Sequence, residues 1–171
     1  MIYKYLNNNI DIHGGGSDLI YPHHESEIAQ SEQFTGVKPF ARYWMHTGAV
    51  GYQGEKMSKS LGNLVLVSEV LKKHSADALR YLLLSHHYRT PWEFKEKQLN
   101  AAEKKVTYFK KLLQSINDSP KATGGKSLKK FEIAMDNDLD TPSALLIMEN
   151  AFSLEDRETA KKISSTLGFS F

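Results

Sequence analysis

The segment over residues 10–52 places the strongest constraint on the fold of this 171-residue chain. The segment Ile10-Asp11-Ile12 predicts a short strand that ends in the glycine run. Pro22 predicts the start of a helix that ends near Gly36, because proline suits the first helical turn and glycine the position after the last. The aromatic and aliphatic residues of 43–52 predict a second, buried strand. This order of elements indicates an α/β segment.

Beyond Pro91 the pattern becomes that of helices. Apolar residues recur at alternating spacings of three and four over 98–116, which predicts a long amphipathic helix. Its apolar positions are Leu99, Ala102, Val106, Phe109, Leu113 and Ile116. Capping residues and glycines predict further elements. The first of these is a loop over 117–127. Three helices follow: one around 131–135, one with its N-cap at Thr141 that ends near residue 152, and one that begins at Asp156 and ends at Gly168. An all-helical part therefore follows the α/β part, with a boundary near residues 90–98.

A basic loop with the sequence Lys56-Met57-Ser58-Lys59-Ser60 follows the second strand. Two lysines three apart suit a polyphosphate, since lysine is a compact charge on a flexible stem and serine adds donors without bulk. A solvated basic turn is the simpler interpretation of such a run taken by itself. After the loop, an extended segment is predicted at 64–67, and Ser68 and Ser75 are predicted N-caps of two helices.

The glycine run lies in the sequence His13-Gly14-Gly15-Gly16-Ser17-Asp18. Glycines after a strand let backbone amides come close to a ligand. Asp18 could accept hydrogen bonds from ribose hydroxyls, as acidic residues do in other nucleotide sites. A triple glycine is also common in tight turns, so the run does not by itself identify a nucleotide site.

His23 and Glu27 are four residues apart, so a helix would place them on one face, whereas His24 pairs with Ile28. A histidine and a glutamate at this spacing can bind one zinc ion. Exposed His–Glu pairs are also common without a metal, and the spacing leaves both interpretations open.

Together, the glycine run and the basic loop resemble the second half of a class I aminoacyl-tRNA synthetase catalytic domain, and in particular that of the cysteinyl-tRNA synthetase family. This resemblance implies the second half of a Rossmann-like nucleotide-binding α/β fold, followed by an all-helical domain. The implied parts are the C-terminal half of the catalytic fold with the lysine loop at 1–66, a connecting helical region at 67–97, and a tRNA-binding helical bundle at 98–171.

The resemblance also implies the activity and the site. The family activates cysteine with ATP and magnesium, and then transfers the cysteinyl group to its cognate tRNA. Lys59, supported by Lys56, is expected to contact ATP as the catalytic pair. The nucleotide site is expected to include His13, Gly15, Asp18, His46 and Lys59. In this family a zinc ion binds the substrate thiol and is held by two cysteines together with the positions that match His23 and Glu27.

The chain departs from the family pattern in two respects. It contains no cysteine, and the family's His-Ile-Gly-His signature is absent. We therefore expect a fragment without its N-terminal half, with an incomplete zinc site, that is inactive by itself. Two alternatives remain open: a ligase of the same superfamily that joins cysteine to an amino-sugar inositol, and a non-catalytic fragment that binds tRNA or a protein partner.

Charge and hydropathy add little to this interpretation. The formal net charge of +2 is too small to indicate nucleic acid, although lysines are concentrated between residues 95 and 130. Such a run is most often a solvated helix face, and contact with the backbone of a tRNA is the alternative. No apolar stretch approaches the roughly 20 residues that span a bilayer, and no signal sequence is evident, so the cytosol is the expected compartment.

Overall fold

In the computed structural model, which describes residues 2–114 and 125–171, a parallel pair of strands follows the short helix α1 (Ile2–Tyr5). Strand β1 (Ile10–Gly16) pairs with β2 (Ala41–Thr47), and helix α2 (Glu25–Thr35) connects them. The predicted first strand thus continues through all three glycines. Helix α2 ends at Gly36 as predicted, with φ at 69°.

The start predicted for this helix at Pro22 agrees with the backbone angles. Tyr21 is extended, with φ at −135° and ψ at 134°, as suits the residue before a proline, and it is the one residue of Ile20–His24 outside the helical region. Residues 17–24 form irregular helical turns, and regular α-helix begins at Glu25.

The single strand predicted over 43–52 is divided into β2 and β3 (Val50–Tyr52). Strand β3 lies between β4 (Glu55–Lys56) and β5 (Trp92–Glu93) in a second sheet. At the break, a Cβ atom on Gly48 would lie 2.5 Å from the backbone of Thr90, so only glycine fits there. The prediction that the segment is buried was also wrong at Tyr43, which is 69% exposed.

The chain forms two compact units. The first runs through Lys56 and includes Tyr88–Glu93, and the second comprises Met57–His87 and Phe94–Phe171. The second unit is helical. Its helices are α3 (Val67–Val70), α4 (Ala76–Leu84), α5 (Glu96–Gln114), α6 (Lys126–Asp136), α7 (Thr141–Ser153) and α8 (Arg157–Thr166).

Helix α5 confirms the long amphipathic helix. Leu99, Ala102, Val106 and Phe109 are buried as the spacing predicts, and Ile116 lies outside the described residues. The predicted loop over 117–127 lies mostly outside them too, and its last two residues begin α6. The segment at 64–67 forms no strand, and Val67 begins α3.

Helix caps were predicted with mixed success. Ser75 caps α4 by accepting a hydrogen bond from the Ala78 amide, and Asp156 caps α8. Ser68 caps nothing because α3 begins one residue before it. The cap of α7 is Asp140 rather than Thr141.

Two polar networks join helices of the second unit. The Tyr81 hydroxyl of α4 donates to the Glu149 carboxylate of α7, and Lys105 of α5 donates to both, at 3.0 and 2.7 Å. In the other network, Asp77 of α4 accepts hydrogen bonds from Lys110 of α5 at 2.8 Å and from the Ser170 amide and hydroxyl at 3.0 and 2.7 Å. Within the described residues, no helix has the length and apolar character needed to cross a bilayer.

Candidate functional site

Histidine and tryptophan side chains form a cluster on one face of the first sheet. In the register of the parallel pair His13 lies beside Trp44 and Gly15 beside His46, and alternate residues of a strand share a face. The His13 and Trp44 rings lie 4.8 Å apart between centroids, and the His46 ring stacks on Trp44 at 6.0 Å. The structure thus brings His13, Gly15 and His46, which were predicted for the nucleotide site, into one cluster.

His24 is the buried centre of this cluster, with 3% of its surface exposed. A hydrogen bond of 2.8 Å joins its Nδ1 to Nε2 of His46. Burial lowers the pKa of His24, and the nearby His13 and His46 lower it further. The neutral imidazole is therefore favoured, with one nitrogen able to donate and the other to accept.

Gly15 has no side chain and so leaves room for the His24 ring. A Cβ atom on Gly15 would lie 2.8 Å from Cε1 and 3.0 Å from Nε2 of His24, inside the distance that real Cβ contacts tolerate. At least one residue of the glycine run therefore serves packing within the protein. No sequence pattern predicts this contact, because it depends on the turn between β1 and α2.

Glu27 lies beside two histidines. Its Oε2 atom is 3.0 Å from His13 Nε2, and its Oε1 atom is 3.9 Å from His23 Nε2. The Oε2 atom is buried and has no hydrogen-bond partner among the residues that the structure describes. His23 is mostly exposed, with 61% of its side-chain surface accessible.

These side chains fit a divalent metal ion in part. Two N or O ligands of a tetrahedral zinc ion lie roughly 3.4 Å apart, and the two distances from Glu27 fall on either side of that value. Ligand atoms of His13, His24 and Glu27 also lie within 4.8 Å of one another. Glu27 belongs both to the predicted His23–Glu27 pair and to this group of three residues. A bound cation would provide the partner that its buried Oε2 atom lacks among the described residues.

Asp18 and Lys56, predicted for ribose and phosphate, form an ion pair with each other. Lys56 Nζ lies 2.6 Å from Asp18 Oδ2, and both side chains are about half exposed at 55%. The hydrogen bond from Lys56 is the main reason that the pKa of Asp18 is lowered. The first lysine of the loop is thus held at the end of the glycine run.

The rest of the lysine loop is held by hydrogen bonds of its own. The Ser58 amide donates to the Asn63 side chain at 2.8 Å, and the Ser58 and Ser60 hydroxyls lie 3.1 Å apart. Lys59 is exposed, and its side chain makes no ion pair within the described part of the chain. Asn63 was not among the predicted site residues, although an asparagine after a glycine is a common signal of side-chain bonding in turns.

Residues 1–104 match the family described as tRNA synthetases class I (C) catalytic domain. A cysteine–tRNA ligase of Dehalococcoides mccartyi is 44% identical, in an alignment covering 99% of this chain and 41% of the relative. The cysteine–tRNA ligase of Carboxydothermus hydrogenoformans is 49% identical, in an alignment covering 85% of this chain and 33% of the relative. That of Bacillus licheniformis is 40% identical, in an alignment covering 99% of this chain and 42% of the relative. The chain therefore spans about two fifths or less of these curated relatives.

Two solved structures have a similar fold. One is the LeuRS of Agrobacterium radiobacter in a ternary complex with tRNA and LeuAMS, with a TM-score of 0.64 and 19% identity, covering 92% of this chain and 23% of that one. The other is the methionyl-tRNA synthetase of Mycobacterium tuberculosis bound by methionyl-adenylate, with a TM-score of 0.55 and 19% identity. This match covers 91% of this chain and 34% of that one.

These similarities confirm the predicted fold class, part of a class I synthetase nucleotide-binding fold followed by helices. The match to the family model covers more than half of the chain, and the relatives are 40–49% identical. The chain belongs to the class I (C) tRNA synthetase catalytic-domain family, that of the cysteinyl-tRNA synthetases which its glycine run and lysine loop resemble.

Proposed function

We propose that this chain supplies the lysine loop and the glycine run of an ATP-dependent cysteine–tRNA ligase. The observation that carries the proposal is the ion pair between Lys56 and Asp18, which joins the predicted phosphate-binding and ribose-binding segments at one place. The names of the relatives supply the substrates, cysteine and its tRNA. The predicted divisions at 1–66, 67–97 and 98–171 belong to the same proposal.

In the proposed reaction, the cysteine carboxylate attacks the α-phosphate of ATP, bound with magnesium, and pyrophosphate leaves. The cysteinyl group of the adenylate then passes to a ribose hydroxyl of tRNA, and AMP leaves. Neither step needs a covalent enzyme nucleophile, so the protein contributes positioning and charge stabilisation. Lys59 is exposed and makes no ion pair within residues 2–114 and 125–171, so it can follow the phosphates, and Lys56 supports it from Asp18.

The nucleotide side of the site would use His13, Gly15, Asp18 and His46 together with Lys59. Binding of ATP would require Lys56 and Asp18 to exchange their mutual contact for contacts with phosphate and ribose. Both side chains are about half exposed and water screens their attraction, so this exchange costs little.

A zinc ion would be held by Glu27 with His23, as the resemblance implies, and His13 and His24 are close enough to contribute. When bound, zinc supplies an open ligand position that prefers a thiol to a hydroxyl, which distinguishes cysteine from serine. The buried Oε2 atom of Glu27 supports this assignment because it has no hydrogen-bond partner in the described part of the chain.

The test is a chimera in which this chain replaces the matching segment of the Dehalococcoides mccartyi relative. The variant Lys59→Ala should slow cysteine-dependent ATP–pyrophosphate exchange by roughly 100- to 1000-fold, the usual cost of removing one group that stabilises transition-state charge. Cysteine binding should be nearly unchanged. The matched control is Lys73→Ala, another exposed lysine, which should leave exchange intact.

Two results would contradict the proposal. One is an equal loss of exchange and of cysteine binding in Lys59→Ala. The other is transfer of cysteine to an amino-sugar inositol, with none to tRNA.

A further inference from the structure

A side chain from beyond the basic segment closes the lysine loop. The Oδ1 atom of Asn63 accepts a hydrogen bond of 2.8 Å from the Ser58 amide, five residues back along the chain. Asparagine in a turn usually bonds its own backbone about two residues onward, so this backward reach is a different arrangement. It joins the two ends of the segment 58–63.

The backbone of Lys59 is held on both sides within this segment. On one side is Ser58, whose amide is bound by Asn63. On the other, the carbonyl of Lys59 itself accepts a hydrogen bond of 3.2 Å from the Gly62 amide. Gly62 has a φ of 66°, which strains residues with a side chain, so a glycine lets the chain turn back at this point. The side chain of Lys59 stays exposed.

Two serine hydroxyls extend this set of hydrogen bonds. The Leu61 amide donates to Ser58 Oγ at 3.3 Å, and the hydroxyl oxygens of Ser58 and Ser60 lie 3.1 Å apart. Both contacts are exposed, so water competes with them. The bond to Asn63 is partly buried and shorter than either, and it is therefore the contact of this segment that water replaces least easily.

A fixed backbone below an exposed lysine meets two requirements of phosphate chemistry. The flexible side chain lets the ammonium follow a phosphate that moves during reaction. The ammonium can do so only if its starting point is constant, because a misplacement of about 1 Å can slow a reaction by about 100-fold. The restraint beside Lys59 supplies this constant starting point.

We propose that Asn63 is a positioning residue for the activation of cysteine. Its side-chain oxygen fixes the backbone at Ser58 and thereby places the Lys59 ammonium for the phosphates of ATP. This inference rests on the proposed function, which assigns Lys59 to ATP. It adds a residue that acts through Lys59 and touches neither substrate.

Cleavage by trypsin after Lys59 tests the restraint without any reaction. The rate of cleavage reports the fraction of molecules in which the loop is open. In the 171-residue chain, Asn63→Ala should be cut there about three- to tenfold faster, the change expected from the loss of one hydrogen bond. Asn63→Asp keeps an acceptor oxygen in the same position and should be cut as slowly as the unsubstituted chain.

Two controls accompany the cleavage experiment. Synthetic peptides of residues 55–66 with the same substitutions correct for the sequence preference of trypsin. Cleavage after Lys73, an exposed lysine in another turn, should occur at one rate in all variants. Mass spectrometry distinguishes the two cuts, and far-UV circular dichroism tests the fold of each variant.

ATP–pyrophosphate exchange by the chimera tests the effect on catalysis. Asn63→Ala should lower kcat by about 10- to 100-fold, since the lysine is present but misplaced. The KM for cysteine should be nearly unchanged, and Asn63→Asp should recover most of the lost kcat. The matched control is Asn100→Ala, the same change at an exposed position of α5, which should leave exchange intact.

A double-mutant cycle shows whether Asn63 acts through Lys59. In a chimera that already carries Lys59→Ala, the change Asn63→Ala should cause little further loss, because no ammonium remains to be placed. Losses that multiply independently would overturn the proposal. It would also be overturned if Asn63→Ala and the unsubstituted chain were cut after Lys59 at the same rate.

Failure of this inference and failure of the proposed function are distinguishable. If the proposed function is wrong, exchange survives Lys59→Ala, and the positioning role is refuted with it. If only this inference is wrong, exchange is lost in Lys59→Ala and is unchanged in Asn63→Ala.

Discussion

Replacement of Asp77 by Asn should destabilise the helical unit in a way that depends on pH. The Asp77 carboxylate is buried, with 4% of its residue surface exposed, and accepts hydrogen bonds from Lys110 and from the Ser170 amide and hydroxyl. Asparagine keeps the shape and one acceptor oxygen but loses the charge. The variant therefore isolates the contribution of the ionised form.

The magnitude follows from two contributions. Breaking a fully buried ion pair costs about 3–5 kcal/mol, but Lys110 is 35% exposed and can turn to water, which reduces the cost to about 1.5 kcal/mol. Asp77 also lies in the first turn of α4, where a negative charge is worth about 0.5 kcal/mol against the helix dipole. We expect the free energy of unfolding to fall by about 2 kcal/mol at pH 7.

The effect should disappear in acid. Burial alone would raise the pKa of Asp77, but hydrogen bonds from Lys110 and Ser170 outweigh it and hold the pKa below its ordinary value. A carboxyl group whose pKa is lower in the folded state contributes stability above its unfolded pKa of about 3.9. That contribution is lost as the pH falls through the folded pKa, so the two proteins should converge there.

Urea unfolding followed by far-UV circular dichroism measures the difference, because the second unit is helical. At pH 7 the midpoint should fall by about 1 M with an unchanged slope. Asp136→Asn is the control: this exposed aspartate of α6 should change stability by less than about 0.5 kcal/mol. A difference for Asp77→Asn that is under 0.5 kcal/mol, or that stays constant from neutral pH to acid, would refute this account.

Two further substitutions have matched controls. Gly15→Ala should lower the free energy of unfolding by about 1–3 kcal/mol, because its Cβ would overlap the His24 ring. In the control Gly14→Ala, the nearest atom to the new Cβ lies 3.4 Å away, so the loss of stability should be smaller. Thermal melts followed by tryptophan fluorescence measure both losses, and equal losses would contradict this explanation. Asp156→Ala should remove the cap of α8 at a cost of about 1–2 kcal/mol, whereas Ser68→Ala removes no cap and should be nearly neutral, as urea unfolding can check.

The helical part was predictable because its signal is local. The spacing of Leu99, Ala102, Val106 and Phe109 identifies the buried side of α5 without knowledge of its neighbours, and all four are buried. Caps were less predictable. Asp140 and Thr141 are adjacent and both suit the role, and the choice depends on backbone angles that the sequence does not specify.

The site was predictable only in part. The pair His23 and Glu27 was inferred from helical spacing, and the structure places the two side chains together, with Nε2 and Oε1 3.9 Å apart. His24 is buried and contacts His46 of the neighbouring strand. A contact of this kind depends on strand register and on the path of the turn, which no local pattern encodes.

The contact between Asp77 and Ser170 also affects the order of events during synthesis. It joins residues 93 positions apart, so α4 cannot acquire its full set of partners until the last helix has emerged from the ribosome. At about 5–20 residues per second, the delay is on the order of 5 to 20 s. Lys110 follows Asp77 by 33 residues, so it can pair with the carboxylate before Ser170 has been synthesised. A nascent-chain arrest series should therefore show the helical unit becoming protease-resistant only after Ser170 has cleared the exit tunnel.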